Sequence, residues 1–564
     1  MSQFFRRLPL ALMLAVGALL VLPAVASAAK WKFGPSIDAP WANYGEGPGK
    51  DSATAATGLC RSSPFTTLFS YGALGSNVDA IVNDAINNTG NSNRGCSTPQ
   101  NETTIAVNPT NPMNLVAGAN DYRVASPVTG LNDGSGWAYW SRDGGATWSN
   151  VQLPGLIVNT GGKGVFKKFT SAGDPVVTFS PEGVAYYANI LFSRVSNDSA
   201  VAVSASTDGG QTWGDPNIVE YTGTGVFFHD KEWIAAGANG RVVVTWTRFN
   251  QGPRGLSYLE SPIVMAFSKD YGKTWNRAGT PVSDAAHPFN QGSQVQFAPN
   301  GDLFVAYEGA SPATGNATDQ TILARSTNDG LTFATKEIGR VFDDLDCYPI
   351  YGGRQTLTGM HFRLNSYPSL SIDPTNSAIA ITWADDEGAA PCGSGGGSFP
   401  VTATTAAQVK LVQGTWSVLS APRTVTTDSG DKVFPSVAAN GGEVVVSYYT
   451  RHYATTTASS VCNVKTPDVP AVPSVPEVVA TANSVCLDYA ARTSVDQFAS
   501  ERRLTTESSN PFIQFADGAF IGDYSQVAIG SDGVAHAAWT DFRGNPFVTA
   551  ANQDVMVANF PLRG

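Results

Sequence analysis

The residues able to do chemistry fall in short polar runs spaced through an otherwise apolar, glycine-rich sequence. They read Asn120-Asp121-Tyr122-Arg123, Asn189, Thr247-Arg248, Glu308, Asp385-Asp386-Glu387, Thr450-Arg451-His452 and Asp541-Phe542-Arg543. Between them lie Asp174, His229-Asp230-Lys231-Glu232 and Gly522-Asp523-Tyr524. Carboxyl groups can move protons, and guanidinium forks hold carboxylates through two hydrogen bonds. Such residues also serve simply to solvate strand ends. Other chemistries lack their signatures. There is no Gly-x-Ser-x-Gly elbow and no phosphate-binding loop. The five histidines are scattered and no Cys-x-x-Cys pair occurs, so no zinc site and no metal or organic cofactor is expected. Acid runs such as Asp343-Asp344-Leu345-Asp346 offer the oxygen ligands a structural Ca²⁺ takes, and equally read as a solvated acidic loop.

Spacing is what makes these runs a set. A turn pattern, Ser-x-Asp/Asn-x-Gly-x-Thr-Trp/Phe, starts at Ser141, Ser206, Ser268 and Ser326, with intervals of 65, 62 and 58 residues. Its conserved-type positions are Asp143, Asp208, Asp270 and Asn328. The side-chain oxygen accepts backbone N–H groups to start a turn, the glycine supplies positive φ, and the aromatic can anchor the turn between sheets. An apolar strand precedes each copy, as in Ile263-Val264-Met265-Ala266-Phe267, so each sits on a hairpin. A second hairpin precedes each turn, over 104–120, 175–189, 233–248, 293–308, 368–385, 435–451 and 524–541. Two hairpins per unit make a four-stranded sheet, and such sheets around an axis make a β-propeller. Seven units predict seven blades; six is the alternative if a terminal pair is incomplete. The polar runs then converge on one mouth.

Composition agrees. Only 14% of 564 residues are charged, with 57 Gly and 34 Pro, which disfavours long solvated helices. A formal charge of −11 leaves no basic footprint for nucleic acid. Arg6-Arg7, the apolar run 8–25 and Ala26-Ser27-Ala28 form a secretory leader over 1–28, and no other stretch is long and apolar enough to span a bilayer. The mature chain is expected outside the cytoplasm, extracellular or periplasmic, as a monomer. Six cysteines in an exported chain read as disulfides; the local pairing Cys60–Cys96, Cys347–Cys392 and Cys462–Cys486 is one of 15. Residues 29–101 carry no repeat and form an extension that could help close the ring, with a short helix over 78–86. Residues 455–485 are a proline-rich loop insertion.

The Ser-x-Asp-x-Gly-x-Thr-Trp turn resembles the Asp-box, or bacterial neuraminidase repeat, of sialidases. With the strand units, the resemblance covers about residues 102–564, and the runs 101–109 and 520–524 are similar to secreted bacterial proteins of sialidase-like type. It implies an all-β propeller with the Asp-box turns on the face opposite the active site. It also implies roles for particular residues. Asp121 falls where the family's acid/base lies, Tyr524 where its nucleophile lies, and Glu308 would polarise that tyrosine. Arg248, Arg451 and Arg543 would hold a sugar carboxylate. The family's Arg-Ile-Pro motif is matched only by Arg7-Leu8-Pro9, inside the leader. Two functions follow as expectations: an exo-α-sialidase-like glycoside hydrolase acting on acidic glycans, or a non-catalytic propeller binding a glycan or cell-surface protein at the same mouth.

Overall fold

The computed structural model describes residues 77–79, 99–125, 128, 132–252, 258–343, 348, 350–351, 354–357, 360, 362–387, 406–453, 486–511, 520–542 and 553–563. Runs of β-branched and aromatic residues become strands because they pack well on a pleated surface. Seven antiparallel sheets with four principal strands result, the third carrying an additional short strand, Tyr258–Glu260; in six the strands lie in chain order, and the seventh takes its outer strand from Asn77–Asp79. The blades span Gln100–Gln152, Ser171–Thr222, Phe227–Pro281, Asn290–Val341, Ser369–Thr424, Lys432–Arg503 and Gln526–Pro561. The inner strand of each blade packs on that of the next, and the seventh packs on the first. The fold is thus a seven-bladed β-propeller, and the six-blade alternative falls away. Among the described residues the only helices are short 3-10 turns, and none is long and apolar enough to cross a membrane.

The seventh blade is completed from the other end of the sequence. Asn77–Asp79 pairs antiparallel with the blade's third strand, Val78 opposite Val557. Val78 and Asp79 were expected at the start of a helix; the edge of Asp554–Pro561 pairs with them as a strand instead. The remainder of that expected helix, the leader, the 455–485 insertion, and Cys60, Cys96, Cys347, Cys392 and Cys462 lie outside the described residues. Cys486 is buried and disulfide-bonded.

The four Asp-box turns share one hydrogen-bond scheme. In the first, Asp143 Oδ1 accepts from Ser141 Oγ at 2.8 Å and from Thr147 N at 2.9 Å, and Oδ2 accepts from Thr147 Oγ1 at 2.6 Å. Asp208 and Asp270 repeat it. Asn328 keeps the first two bonds and donates from Nδ2 to Thr332 Oγ1 at 2.9 Å. Each turn passes through two successive positive-φ residues, and in two of them a non-glycine takes the first place: Tyr271 at 63° and Asp329 at 57°. The indole N–H of Trp148 and Trp213 then ties back to the carbonyl of Gly145 and Gly210. The turns join third to fourth strands, at the end where Ser141 pairs with Leu115, away from the end where Asp121 pairs with Gln100.

Two features of the inner strands organise the axis. First, five carry a bulge near their start whose leading residue has positive φ: Glu102, Asp174, Lys231, Gly292 and Phe434. Tyr367 and Tyr524 hold the equivalent places in the other two blades, two residues before Ser369 and Gln526. Second, the side chain two positions on bridges to the next blade. Thr104 Oγ1 accepts from Val177 N, Gln294 Oε1 from Leu370 N, Ser369 Oγ from Val437 N, Ser436 Oγ from Val527 N, and Gln526 Oε1 from Ile105 N, at 2.8–3.1 Å. Five of seven interfaces are therefore stitched at one level. Beneath it all seven strands line an axial channel of about 410 Å³ with mixed polar and apolar walls. Between blades the core is aromatic: Trp246, Tyr307, Trp383, Tyr448 and Trp539 occupy one equivalent second-strand position in five successive blades, all buried.

Candidate functional site

The end of the propeller opposite the Asp-box turns carries both a plugged axis and an open cleft. At the axis the bulge residues meet. Lys231 Nζ lies 3.2 Å from the centre of the Tyr524 ring and 5.9 Å from that of Tyr367, within reach for cation–π attraction. Tyr367 covers Gly292, where a Cβ would meet its ring at 2.3 Å, so this place requires glycine. Glu102 accepts from Asn120 Nδ2 at 2.7 Å and Asp523 N at 3.2 Å. Asp523 is forked by Arg363 at 2.8 and 2.6 Å. Tyr524 donates its phenol proton to Pro175 O at 2.9 Å. Burial first, and then the charges of Glu102, Asp174 and Glu232, push its pKa well above the ordinary tyrosine value.

Beside this plug, between the first and second blades, lies a cleft of about 250 Å³. Its walls include Tyr122, Phe192 and Phe228, with Asn120 and Asn197 as amide groups and two carboxyl side chains, Asp133 and Asp174. Asp174 sits on the inner-strand bulge of blade two, where φ is 52°. Its backbone N–H donates to Asn120 Oδ1 at 2.8 Å, which fixes the bulge to blade one. Burial, then the neighbouring charges of Glu102 and Asp230, hold its carboxyl pKa well above the usual range, against a lowering pull from Lys231. Asp133 is in the opposite state of satisfaction. Arg194 forks onto it with two bonds of 2.9 Å, Gly134 N donates at 2.9 Å, and Ser171 Oγ adds a fourth, short bond. The cleft therefore joins one carboxyl that favours its proton to one fully bound by donors.

The residues expected from sequence are placed as follows. Asp121 is buried at the end of blade one's second strand. Arg123 Nε and Nη2 bind it at 3.0 and 2.7 Å, and Tyr139 donates at 2.8 Å. It is a strap inside the blade and not a free acid. Tyr524 does reach the acidic axis, as a buried phenol. Glu308 lies instead with Asp319 and Asp343, one oxygen of each within 4.8 Å of the others, all three buried. Arg248 pairs with Glu220 at 3.8 Å and covers Phe227, while Arg451 pairs with Asp431 at 2.9 Å. Each expected clamp arginine that is described already holds a blade carboxylate; Arg543 lies outside the described residues. Asp143, Asp208, Asp270 and Asn328 accept the backbone hydrogen bonds of their turns.

Sequence reasoning did not find Asp133, Arg194 and Tyr367 at all. Asp133 stands at the start of blade one's third strand and Arg194 in the connection between blade two's second and third strands, neither within a motif, and only the docking of two blades brings them together. Asp174 was visible as part of the mouth, but nothing in the sequence marked it as proton-holding. That property comes from burial and from Glu102, which is 72 residues away in the chain.

Neither a protein-family profile nor a characterised protein sequence matches the chain. Among solved structures it is similar to a Hadza microbial sialidase, at 11% identity over 80% of this chain and 73% of that one, with a TM-score of 0.40. It is also similar to a Penicillium chrysogenum α-L-arabinanase complexed with arabinobiose, at 15% identity over 62% and 88%, TM-score 0.39. A Fusarium graminearum GH93 α-L-arabinofuranosidase with arabinobiose aligns at 10% identity over 82% and 93%, TM-score 0.36. At these values no residue role is carried across.

Proposed function

We propose that the chain is an exported, glycan-directed propeller that hydrolyses a glycosidic bond in the cleft between its first and second blades, with Asp174 as proton donor. The observation that carries the reading is Asp174 itself: a buried carboxyl on the wall of a cleft of about 250 Å³ that also presents Tyr122, Phe192 and Phe228, where burial and the charges of Glu102 and Asp230 favour its protonated form. A raised carboxyl pKa is what a general acid needs near neutral pH. Asp133 supplies a fixed, donor-saturated negative charge in the same cleft, and two carboxyl groups of unlike state are the usual equipment for glycoside hydrolysis. Export draws support from the leader and from the disulfide at Cys486; amino-terminal sequencing of the secreted protein, expected to begin near Ala29, tests it.

The test of catalysis uses a panel of aryl glycosides. Asp174→Asn is expected to lose roughly 10²–10⁴-fold in rate while keeping its melting temperature. Much of the loss should return on a substrate whose leaving group needs no proton, such as a dinitrophenyl glycoside. Equal rates for wild type and variant would overturn the assignment. A second reading, a non-catalytic glycan-binding propeller, is favoured by the saturation of Asp133 and by the tethering of the Tyr524 phenol to Pro175. It wins if the folded protein turns over no glycoside between pH 4 and 8 yet binds glycan. An exo-sialidase would need a carboxylate clamp from residues other than Arg248 and Arg451.

A further inference from the structure

The connection between blades one and two differs in charge from the rest of this acidic chain. From residue 144 to residue 173 there is no Asp or Glu, and three of the protein's lysines, Lys163, Lys167 and Lys168, fall within six residues. They sit on a 3-10 turn, Gly164–Lys168, preceded by Gly161 at φ 86° and starting with Gly164 at φ 58°. A Cβ at either glycine would meet nothing within 4 Å, so the turn stands open to solvent. Phe169 anchors it among Leu156, Ile157 and Leu191. Lys163 and Lys167 are exposed, and among the described residues neither makes an ion pair, whereas Lys168 lies 3.4 Å from Asp198.

This turn is tied to the cleft. Lys168 Nζ donates to Tyr221 OH at 2.6 Å, and Tyr221 donates to Asp198 Oδ1 at 2.5 Å. Asp198 ends the 193–198 loop, whose residues 193–197 form one wall of the cleft. From the other side, Arg194 N donates to Thr170 Oγ1 at 2.9 Å, two residues after Lys168. Lys163 and Lys167 thus stand on a turn joined by hydrogen bonds to that wall.

We propose that the Lys163–Lys167 turn is a subsite for an anionic polysaccharide, one bearing carboxylate or sulfate groups, whose neighbouring unit occupies the cleft. The choice of polysaccharide follows from the adjoining aromatic-walled cleft and so rests on the glycan reading of it. Two lysines on a chain of net charge −11 are too small a footprint for nucleic acid. Recognition of the charge is then separated from the site of bond cleavage, and the engaged states of Arg248 and Arg451 cease to matter for it.

The experiment measures binding of the mature protein to a sulfated polysaccharide, a polyuronate and a neutral polysaccharide of matched length, with single-stranded polynucleotide and anionic lipid vesicles as further arms. Lys163→Ala/Lys167→Ala is expected to weaken the anionic polysaccharides by roughly two- to five-fold per lysine and to leave the neutral chain unchanged. Wild-type affinity for the anionic chains should fall as salt is raised past about 0.1 M; the double variant should depend less on salt. Unchanged affinity in the double variant, or lysine-dependent binding of polynucleotide or vesicles without polysaccharide, overturns the proposal. Absence of turnover with lysine-dependent polysaccharide binding intact removes the hydrolase reading alone; turnover with unchanged binding in the double variant removes the subsite alone.

Discussion

Single residues show how far burial, more than sequence neighbours, sets chemistry here. Asp174 is one such case and Asp385 another. Burial pushes the Asp385 carboxyl up to about 6, despite the Lys410 charge and the Trp383 N–H that accompany it. A carboxyl raised on folding keeps its proton in the folded chain after the unfolded chain has lost its own, so folding is progressively disfavoured as pH climbs from 3.8 to about 6. Asp385→Asn should therefore match wild type in melting temperature near pH 4 and exceed it at pH 7; a constant difference across that interval would refute the assignment. His229 acts in the opposite sense. Burial first, and then the Arg248 charge, lower it to about 3, so it holds no proton where the unfolded chain does, and stability is lost as pH falls from 6.5 towards 3. His229→Gln is expected to flatten the acid limb of a stability profile measured by denaturant titration.

At the scale of elements the Asp-box turns carry measurable stability. In Asp270 the Thr274 hydroxyl is the largest influence and lowers the carboxyl to about 2; in Asp143 and Asp208 burial acts upward but hydrogen bonds outweigh it. A lowered carboxyl stabilises the fold above its unfolded pKa, and that contribution is lost as pH falls through the folded value. Asp208→Ala should cost about 1–2 kcal/mol in denaturant titrations at neutral pH. Gln526→Leu, which removes the acceptor for both Thr104 Oγ1 and Ile105 N, should cost about 1–3 kcal/mol because a buried N–H is left without its bond. These elements also mark what could be read beforehand. The turn repeat and the seven inner hairpins were legible because period, glycine and aromatic recur within a few residues of one another. The inner-strand bulges were not, since only their neighbours across the ring select Glu102, Asp174 and Lys231 for positive φ. The cleft was half visible: Asn120 and Tyr122 stood at an expected strand end and Asp174 in an expected inter-blade loop, while Asp133 and Arg194 are brought in by packing between blades.

For the whole molecule, the ring has a seam. Six blades are built from continuous sequence, and the seventh needs Asn77–Asp79 from the chain's other end. A chain beginning at residue 80 should melt lower and be cleaved faster by protease near the Asp554–Pro561 strand than one beginning at residue 77; equal behaviour would mean the three-residue strand contributes nothing to closure. Against a net charge of −11 the lysine turn is a local exception. The seam also imposes an order on biogenesis. Strand partners separated by nearly 480 positions, Val78 and Val557, cannot meet until synthesis is almost finished, and pairings between distant parts of a chain form slowly. The nascent protein must wait as an unclosed arc, with a vacant berth beside its first blade.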